Sequence, residues 1–148
     1  MIDADYGDGD YVIGTGLAET LKDLKPDVVF DCTIPEAHTP NALIAFEHGC
    51  HVLSEKPMSD SMANARSALE AAQKAGLTYA MIQNRRYDPN IRRLRRFLDA
   101  NHIGPLTTVN CDFYKGAHFG GFRDHMKHVL LLDMAIHTFD AARLITGA

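Results

Sequence analysis

The chain has 148 residues, enough for one domain with a substantial core, and its composition (46% hydrophobic, 23% charged) is that of an ordinary globular protein. Its net charge of -4 argues against nucleic acid as a partner, because phosphate binding needs a basic surface. No apolar run approaches the roughly 20 residues that cross a bilayer, and the acidic N-terminus lacks a signal-peptide pattern. Cys32, Cys50 and Cys111 include no CxxC pair, so we expect reduced core thiols in a cytoplasmic protein.

From residue 17 onward, short apolar runs alternate with amphipathic segments. We predict helices at residues 17–24, 40–48, 59–75 and 89–101, and strands at residues 27–33, 51–54 and 77–82. Strands that alternate with helices of this length form βαβ units, and right-handed crossovers then place the strands side by side in a parallel sheet. The predicted class is α/β. The first ten residues, with two glycines and four aspartates, are expected to form a loop.

The pattern changes after Gly104. Residues 106–114 alternate between apolar and polar side chains, which predicts a strand with one polar face. A glycine-rich loop at residues 116–121 leads to a predicted helix at residues 127–146. We therefore place a domain boundary near Gly104, dividing residues 1–104 from residues 105–148. The second piece has about 44 residues, too few to bury a core alone, so it must pack on the first piece or on another chain.

A lysine follows the second predicted βαβ strand, in the tripeptide Glu55-Lys56-Pro57. The Pro57 ring restricts the backbone on both sides of the Lys56–Pro57 bond, so the ammonium extends from a stiff turn. Open α/β sheets bind ligands at the carboxyl ends of their strands, where this turn lies. The position therefore predicts a cation that holds a substrate oxygen.

A polar stripe interrupts the apolar helix predicted at residues 127–146. At about 100° per residue, Asp133, His137 and Asp140 fall within an arc of roughly 60°. Burial of such groups costs several kcal/mol unless they are paired or line a wet cleft. Two interpretations stay open: a catalytic imidazole with carboxylates beside it, or a structural Asp–His pair.

Two further segments follow the predicted strands. Residues 32–38, which include His38, form either a ligand-binding loop or an ordinary βα loop with a capping histidine. Asn84 is expected at the same cleft edge as Lys56. Arg85 and Arg86 are expected to pair with carboxylates at the domain junction rather than to bind phosphate.

Two other patterns carry little weight. The pair Gly14-x-Gly16 has Glu19 where a phosphate-binding loop has its third glycine, and that charge would repel a pyrophosphate. Histidines 118, 125, 128 and 137 with Asp133 match no ligand spacing, so no metal is predicted.

Taken together, these segments resemble the Gfo/Idh/MocA family of nicotinamide-dependent sugar and polyol oxidoreductases. The resemblance runs from about residue 16 to the end and is closest to the inositol dehydrogenase branch. The matching stretches are Asp27-Val28-Val29-Phe30 with Thr33, Pro35 and His38; Glu55-Lys56-Pro57; Asn84-Arg85-Arg86-Tyr87; and Asp133 with His137 and Asp140.

The resemblance implies a fold, a reaction and a set of site residues. Residues 1–104 would be a partial dinucleotide-binding, Rossmann-like domain, and residues 105–148 the beginning of an α+β substrate and dimerisation domain. Lys56 would hold and polarise the substrate hydroxyl, His137 would be the general base, and Asp133 would orient His137 or bind a neighbouring hydroxyl. The residues implied to contact NAD or NADP are Thr33, Ile34, Pro35, His38, Glu55 and Lys56. Those implied to contact the sugar or polyol substrate are Asn84, Arg86, Asp133 and His137.

The chain also departs from the family pattern. Family members are much longer, and the usual opening strand, glycine-rich phosphate loop and ribose-binding acid are absent, as is most of the substrate domain. The sequence is therefore expected to be a fragment with impaired cofactor binding that self-associates as a homo-oligomer. Two other classes stay open: a non-catalytic sugar-binding module, and an assembly fragment that pairs through an exposed sheet edge.

Overall fold

A computed structural model describes residues 14–114 and 120–148 of the chain. The loop predicted at residues 1–10 and residues 116–119 of the glycine-rich loop, with His118, lie outside the described residues.

Three parallel strands form one sheet. They are β1 (Val28–Asp31), β2 (His51–Ser54) and β3 (Tyr79–Met81), in the spatial order β1-β2-β3. Both pairings are parallel, and they place the carboxyl ends of the strands at one edge of the sheet. The prediction of an α/β fold with three neighbouring parallel strands is confirmed.

Helices precede, connect and follow these strands. The described residues form α1 (Leu17–Leu24), α2 (Pro35–Glu47), α3 (Met62–Ala75), α4 (Pro89–Asp99) and α5 (Ala135–Thr146). Shorter turns are 3-10 helical at Asn84–Tyr87 and Gly121–His125, and π-helical at Leu130–Met134.

Two of the helices that pack on the sheet start at positions other than those predicted. α2 begins at Pro35, five residues earlier than predicted, because proline suits the first turn of a helix, where its missing N–H removes no hydrogen bond. Pro40 is then tolerated inside the helix. α3 begins three residues later than predicted, because the Ser61 hydroxyl accepts a hydrogen bond from the Asn64 amide and caps the helix there.

The core lies between the sheet and the helices α1, α2 and α3. α2 packs on β1, β2, α1 and α3, while α3 also packs on β3. The buried core residues are Leu21, Ala42, Ala45, Phe46, Cys50, Val52 and Ala72. Small alanines on the facing surfaces of α2 and α3 let these two helices approach each other closely. Cys50 is the one core thiol of the three cysteines, since Cys32 and Cys111 are exposed, contrary to expectation.

The polypeptide after β3 departs most from the predictions. α4 packs on α5 and on the turn at residues 84–87, whereas we predicted that it would pack on the sheet. Residues 106–114 form no strand, because a strand needs a partner and no described residue pairs with them. The helix predicted at residues 127–146 instead starts with the π-helical turn and becomes α-helical at Ala135.

None of the helices in the described ranges is both long and apolar enough to cross a bilayer. The division into domains at Gly104 stays a prediction.

Candidate active site

The loop after β1 is shaped by a carboxylate. Asp31 is buried, and its Oδ1 accepts hydrogen bonds from the Thr33 amide (2.9 Å) and the Thr33 hydroxyl (2.6 Å). Asn41 on α2 donates to the Thr33 hydroxyl at 3.2 Å. These contacts turn the chain sharply, so Ile34 is exposed while Pro35 is buried as the first residue of α2. The loop thus offers an apolar surface at the carboxyl edge of the sheet.

The turn after β2 holds the candidate lysine. The Lys56–Pro57 peptide bond is cis. Glu55, partly buried, accepts a hydrogen bond from the Lys56 amide through Oε2 at 3.2 Å. The Lys56 side chain is only 13% exposed, and its ammonium extends toward the π-helical turn. β2 and its turn therefore place a nearly buried cation at the edge where Ile34 lies exposed.

Two positively charged side chains contact Asp133. Lys56 Nζ donates to Asp133 Oδ1 at 2.5 Å and to the Asp133 carbonyl oxygen at 2.8 Å. Arg123 Nε donates to Asp133 Oδ2 at 2.7 Å. Burial alone would raise the pKa of Asp133, but the hydrogen bonds and charges of Arg123 and Lys56 outweigh it and hold the pKa below its ordinary value. Asp133 is therefore an ionised carboxylate whose two oxygens are both engaged.

His137 lies one helical turn beyond Asp133 and is also buried. Its Nδ1 has no hydrogen-bond partner among the described residues. Burial, with the positive charges of Arg85 and Lys56, lowers the pKa of His137 below its usual value, so the ring is neutral at pH 7. That Lys56 and His137 share one cleft stays a prediction, since the link between them in the structure runs through Asp133, which Lys56 contacts and which precedes His137 by four residues. No hydrogen bond joins Asp133 to His137, although the resemblance implied that Asp133 would orient the ring.

The neighbouring residues Arg85 and Arg86 make different contacts. Arg86 forms a two-pronged ion pair with Asp140, with Nε–Oδ2 and Nη2–Oδ1 distances of 3.1 Å. The pairing predicted for the arginines thus holds for Arg86, whose guanidinium is occupied rather than open to substrate. Arg85 is exposed and lies over the Phe113 ring, 5.8 Å from its centroid.

A cavity of about 720 Å³ opens beside His137, large enough for a monosaccharide. Asn84 and His137, both predicted to contact substrate, belong to its wall. The other lining residues include Arg85, Tyr87, Ile91, Phe113 and Thr138. An imidazole, an amide and a guanidinium among aromatic and aliphatic groups suit a ligand with several hydroxyls and an apolar ring face.

Residues for a nicotinamide cofactor are present in part. Ile34 is exposed, and the Asp31–Thr33 turn and Glu55 follow β1 and β2 at the carboxyl edge of the sheet, where the Glu55 amide donates to the Asp31 carbonyl at 2.8 Å. The amino end of α1 does not fit a pyrophosphate. A Cβ built on Gly16 would lie 1.7 Å from Glu19 Oε2, so a carboxylate occupies the place a phosphate would need.

Arg123 is the site residue that the sequence did not reveal. It lies in the 3-10 turn at Gly121–His125, ten residues before Asp133, at no helical or strand spacing from it. Phe122 stacks under its guanidinium, with the Cζ atom 4.6 Å from the ring centroid. The available signal was a lone arginine before a helix with a buried carboxylate, which is too common a pattern to be diagnostic.

Comparison with known proteins gives several relatives. The scyllo-inositol 2-dehydrogenase (NAD(+)) of Bacillus subtilis is 30% identical over 131 residues, which are 88% of this chain and 38% of that protein. Inositol 2-dehydrogenase 4 of Saccharopolyspora erythraea is 30% identical over 122 residues, 82% of this chain and 35% of the relative. Among solved structures, a probable dehydrogenase from Thermotoga maritima matches with a TM-score of 0.72 at 25% identity. The match covers 90% of this chain and 41% of the dehydrogenase chain. The chain spans less than two fifths of the length of both inositol dehydrogenases.

A family match covers the sheet. The family described as "Oxidoreductase family, NAD-binding Rossmann fold" matches residues 5–83, more than half of the chain. The matched stretch contains all three strands and the Lys56 turn, and it ends before His137. This match and the two 30% relatives agree with the resemblance found in the sequence: the chain belongs to the Gfo/Idh/MocA oxidoreductase family.

Proposed function

We propose that the chain contains the catalytic part of an NAD(P)-dependent dehydrogenase that acts on a sugar or an inositol-like polyol. The observation that carries the proposal is the Lys56 ammonium bonded to Asp133, one helical turn from the neutral His137. The names of the two inositol dehydrogenases support the substrate class. The reaction needs a cation for the alcohol oxygen and a base for its proton, and Lys56 and His137 would supply them.

Lys56 binds the substrate oxygen in this proposal. An ammonium has three N–H donors, and Asp133 takes two of them through its carbonyl and its Oδ1. The third is left for the substrate hydroxyl. Negative charge develops on that oxygen as the C–H and O–H bonds break, so a nearby ammonium stabilises the transition state more than the ground state.

His137 takes the hydroxyl proton. A neutral imidazole is the base form, and the lowered pKa keeps that form present at pH 7 and below. Buried polar atoms normally have a hydrogen-bond partner, and His137 Nδ1 has none among the described residues. This missing hydrogen bond also favours a functional role for the ring. A ring nitrogen accepts the proton from the substrate and returns it in the reverse reaction.

Asp133 positions Lys56. Both of its carboxylate oxygens are engaged, by Lys56 and Arg123, which fixes the position of the nearly buried ammonium. This role differs from the orientation of His137 implied by the resemblance. Asn84 is left to bind other hydroxyls of the substrate in the cavity.

NAD or NADP, when bound, supplies the hydride acceptor. Thr33, Ile34 and Glu55 would line its nicotinamide ring and ribose, whereas Pro35, which the resemblance also implied, is buried. We propose that the 148-residue chain binds the cofactor weakly, because Glu19 opposes phosphate at the start of α1. A cytoplasmic location and a homo-oligomeric state belong to the same proposal.

A melting scan tests this function. The chain, and a version extended upstream, are heated with NAD, NADP and a panel of polyols, and NAD(P)H formation is followed by fluorescence. We expect cofactor to raise the melting temperature of the extended chain and polyol oxidation to follow. His137→Asn should lower kcat by at least about 100-fold, the usual contribution of general base catalysis. The matched control, His128→Asn, changes an exposed histidine of the same segment and should leave kcat unchanged.

The scan also separates the alternatives. A response to polyol without cofactor would indicate a sugar-binding module. A response to neither would favour an assembly module, for which the specific observation is the exposure of Val28 (55%) and Phe30 (60%) on β1.

A further inference from the structure

His38 is a fully buried histidine that the proposed chemistry does not use. It lies in the first turn of α2, and both of its ring nitrogens face backbone carbonyl oxygens. Nδ1 is 2.7 Å from the carbonyl oxygen of Pro57, and Nε2 is 3.0 Å from the carbonyl oxygen of Thr33. With no exposed surface and both nitrogens engaged, the ring has nothing left with which to contact a cofactor, although the sequence resemblance placed it among the cofactor residues.

The two carbonyls belong to the two loops of the active site. Thr33 is part of the loop after β1, whose exposed Ile34 offers the apolar surface. Pro57 is part of the turn after β2, next to Lys56. Carbonyl oxygens only accept hydrogen bonds, so a neutral ring donates to one of them and a protonated ring to both. In either form the imidazole fills the gap between the loops and contacts each of them.

Neighbouring contacts hold the same turn from other elements. The hydroxyls of Thr39, next to His38 on α2, and of Ser59 are hydrogen-bonded at 2.7 Å, and both side chains are buried. The Tyr79 hydroxyl on β3 donates to the Met58 carbonyl at 2.8 Å. These two contacts fix the turn to α2 and β3. The His38 ring adds a side-chain contact that reaches the turn and the β1 loop at once.

We propose that His38 is a positioning residue that couples the loop at residues 32–34 to the turn at residues 55–58. Through this coupling it sets the distance between the nicotinamide surface and the Lys56 ammonium. The proposal rests on the proposed function for its consequence, because hydride transfer is sensitive to displacements of about 1 Å between reacting groups. The coupling itself is a property of the protein that can be measured without turnover.

Three substitutions separate the two contacts. His38→Phe keeps an aromatic ring and removes both nitrogens. His38→Asn keeps an amide group near the position of Nδ1, which faces Pro57, and His38→Gln keeps one near Nε2, which faces Thr33. Because loss of a buried hydrogen bond costs about 1–3 kcal/mol, the loop whose carbonyl accepts the ring proton should exchange its amide hydrogens at least about fivefold faster once released, and the loop that only contacts the ring should change less.

Hydrogen exchange followed by mass spectrometry on the full chain gives the readout. We expect both loops to exchange faster in His38→Phe, only the loop at residues 32–34 in His38→Asn, and only the turn at residues 55–58 in His38→Gln. The control is His48→Asn: His48 is exposed near the end of the same helix and contacts only the Ile44 carbonyl of its own helix. Unchanged loops in His38→Phe, or identical patterns in the Asn and Gln variants, would overturn the proposal.

Lysine acylation links the coupling to the active site. Lys56 should react faster with an amine-selective reagent in His38→Phe and at the wild-type rate in His38→Asn, with the exposed Lys22 and Lys25 as internal references. A purely structural role would lower the melting temperature of all three variants without this selectivity. An equal Lys56 rate in His38→Phe and wild type would count against the proposal.

A measurement on the unsubstituted ring covers the case in which the variants do not fold. In chain labelled with ¹⁵N-histidine, we expect a ring N–H that exchanges slowly with water and persists in His137→Asn, which removes the second histidine that is buried among the described residues. Absence of such a proton would refute the carbonyl contacts. If the coupling is found but no polyol is oxidised, the proposed function fails and the role of His38 in joining the loops remains.

Discussion

The three-stranded unit at residues 17–81 and the segment at residues 120–148 are stabilised in different ways. The first has an apolar core in which Phe46 packs edge-on against Tyr79, with ring centroids 5.7 Å apart. In the second, the apolar residues Leu130, Leu131 and Phe139 are exposed, and the buried side chains are the polar Asp133 and His137.

Charged contacts attach the second segment to the rest of the chain, and one of them, from Lys56, reaches the three-stranded unit. Lys56 donates to Asp133, Arg86 pairs with Asp140, and Arg95 Nη1 donates to the Ile145 carbonyl at 2.8 Å. Two of these contacts contain residues of the candidate site. The contacts of the candidate site therefore also hold α5 in place, and a change at Asp133 should alter the position of α5 as well as the site. The unit at residues 17–81, by contrast, should fold without regard to these charges.

The largest expected effect on stability comes from the apolar core. Phe46→Ala should lower the free energy of unfolding by about 3–5 kcal/mol, because it removes buried aromatic surface and leaves a cavity between α2 and β3. Denaturant unfolding followed by circular dichroism measures this. The matched control, Phe139→Ala, removes an exposed ring from α5 and should change the free energy by less than about 1 kcal/mol. Equal losses in the two variants would show that the segments share one core.

The next effect should be local to the second segment. Asp133→Ala leaves Lys56 and Arg123 without their carboxylate, and breaking a buried ion pair from one side costs about 3 kcal/mol. We expect faster hydrogen exchange in α5 and an unchanged sheet. Asp99→Ala, which removes an exposed carboxylate paired with Arg95 within α4, is the control and should cost less than about 1 kcal/mol. A sheet that loosens as much as α5 would contradict the separation of the two segments.

As the pH falls, α5 should lose its protection from hydrogen exchange before the sheet does. The pKa of Asp133 is held below its ordinary value of 3.8, so the carboxylate binds its proton less readily in the folded chain than in the unfolded one. Its contribution to stability is then present above pH 3.8 and is lost as the pH falls through the folded-state pKa. Hydrogen exchange between pH 5 and pH 2.5 should show α5 opening before the sheet. In Asp133→Ala the extra acid sensitivity of α5 should disappear.

The same comparison explains which parts the sequence predicted well. Strands β1, β2 and β3 appear as apolar runs bounded by glycine, proline and capping residues, and their helices follow local rules such as the Ser61 cap. The Lys56 turn and the pair Asp133 and His137 were also singled out as candidates, because a polar side chain in an apolar run is conspicuous. These features depend on residues that are near one another along the chain.

The remaining features depend on contacts between distant residues. The alternating residues 106–114 have a strand pattern, but pairing decides whether a strand forms, and no described partner exists. The π-helical turn contains Asp133 and changes the angle about the helix axis between Asp133 and His137. The sequence prediction assumed the regular spacing of about 100° per residue of an α-helix. The contact of Arg123 with Asp133 and the burial of His38 likewise depend on loops that pack against each other in the folded chain. No local sequence pattern in either segment predicts these contacts.

The smallest expected effect on stability comes from the exposed face of β1. Among the described residues β1 pairs only with β2, and Phe30 on it is 60% exposed, so a second copy or another strand can add there. Phe30→Lys should change the free energy of unfolding by no more than about 0.5 kcal/mol, since the ring contacts little, yet it should lower self-association because charge on an edge strand opposes pairing. Sedimentation velocity across a concentration series measures this, with Phe97→Lys on α4 as the control for an exposed phenylalanine elsewhere. Self-association that is equally strong in wild type and Phe30→Lys would exclude β1 as the contact and leave the exposed leucines of the second segment as the surface to test.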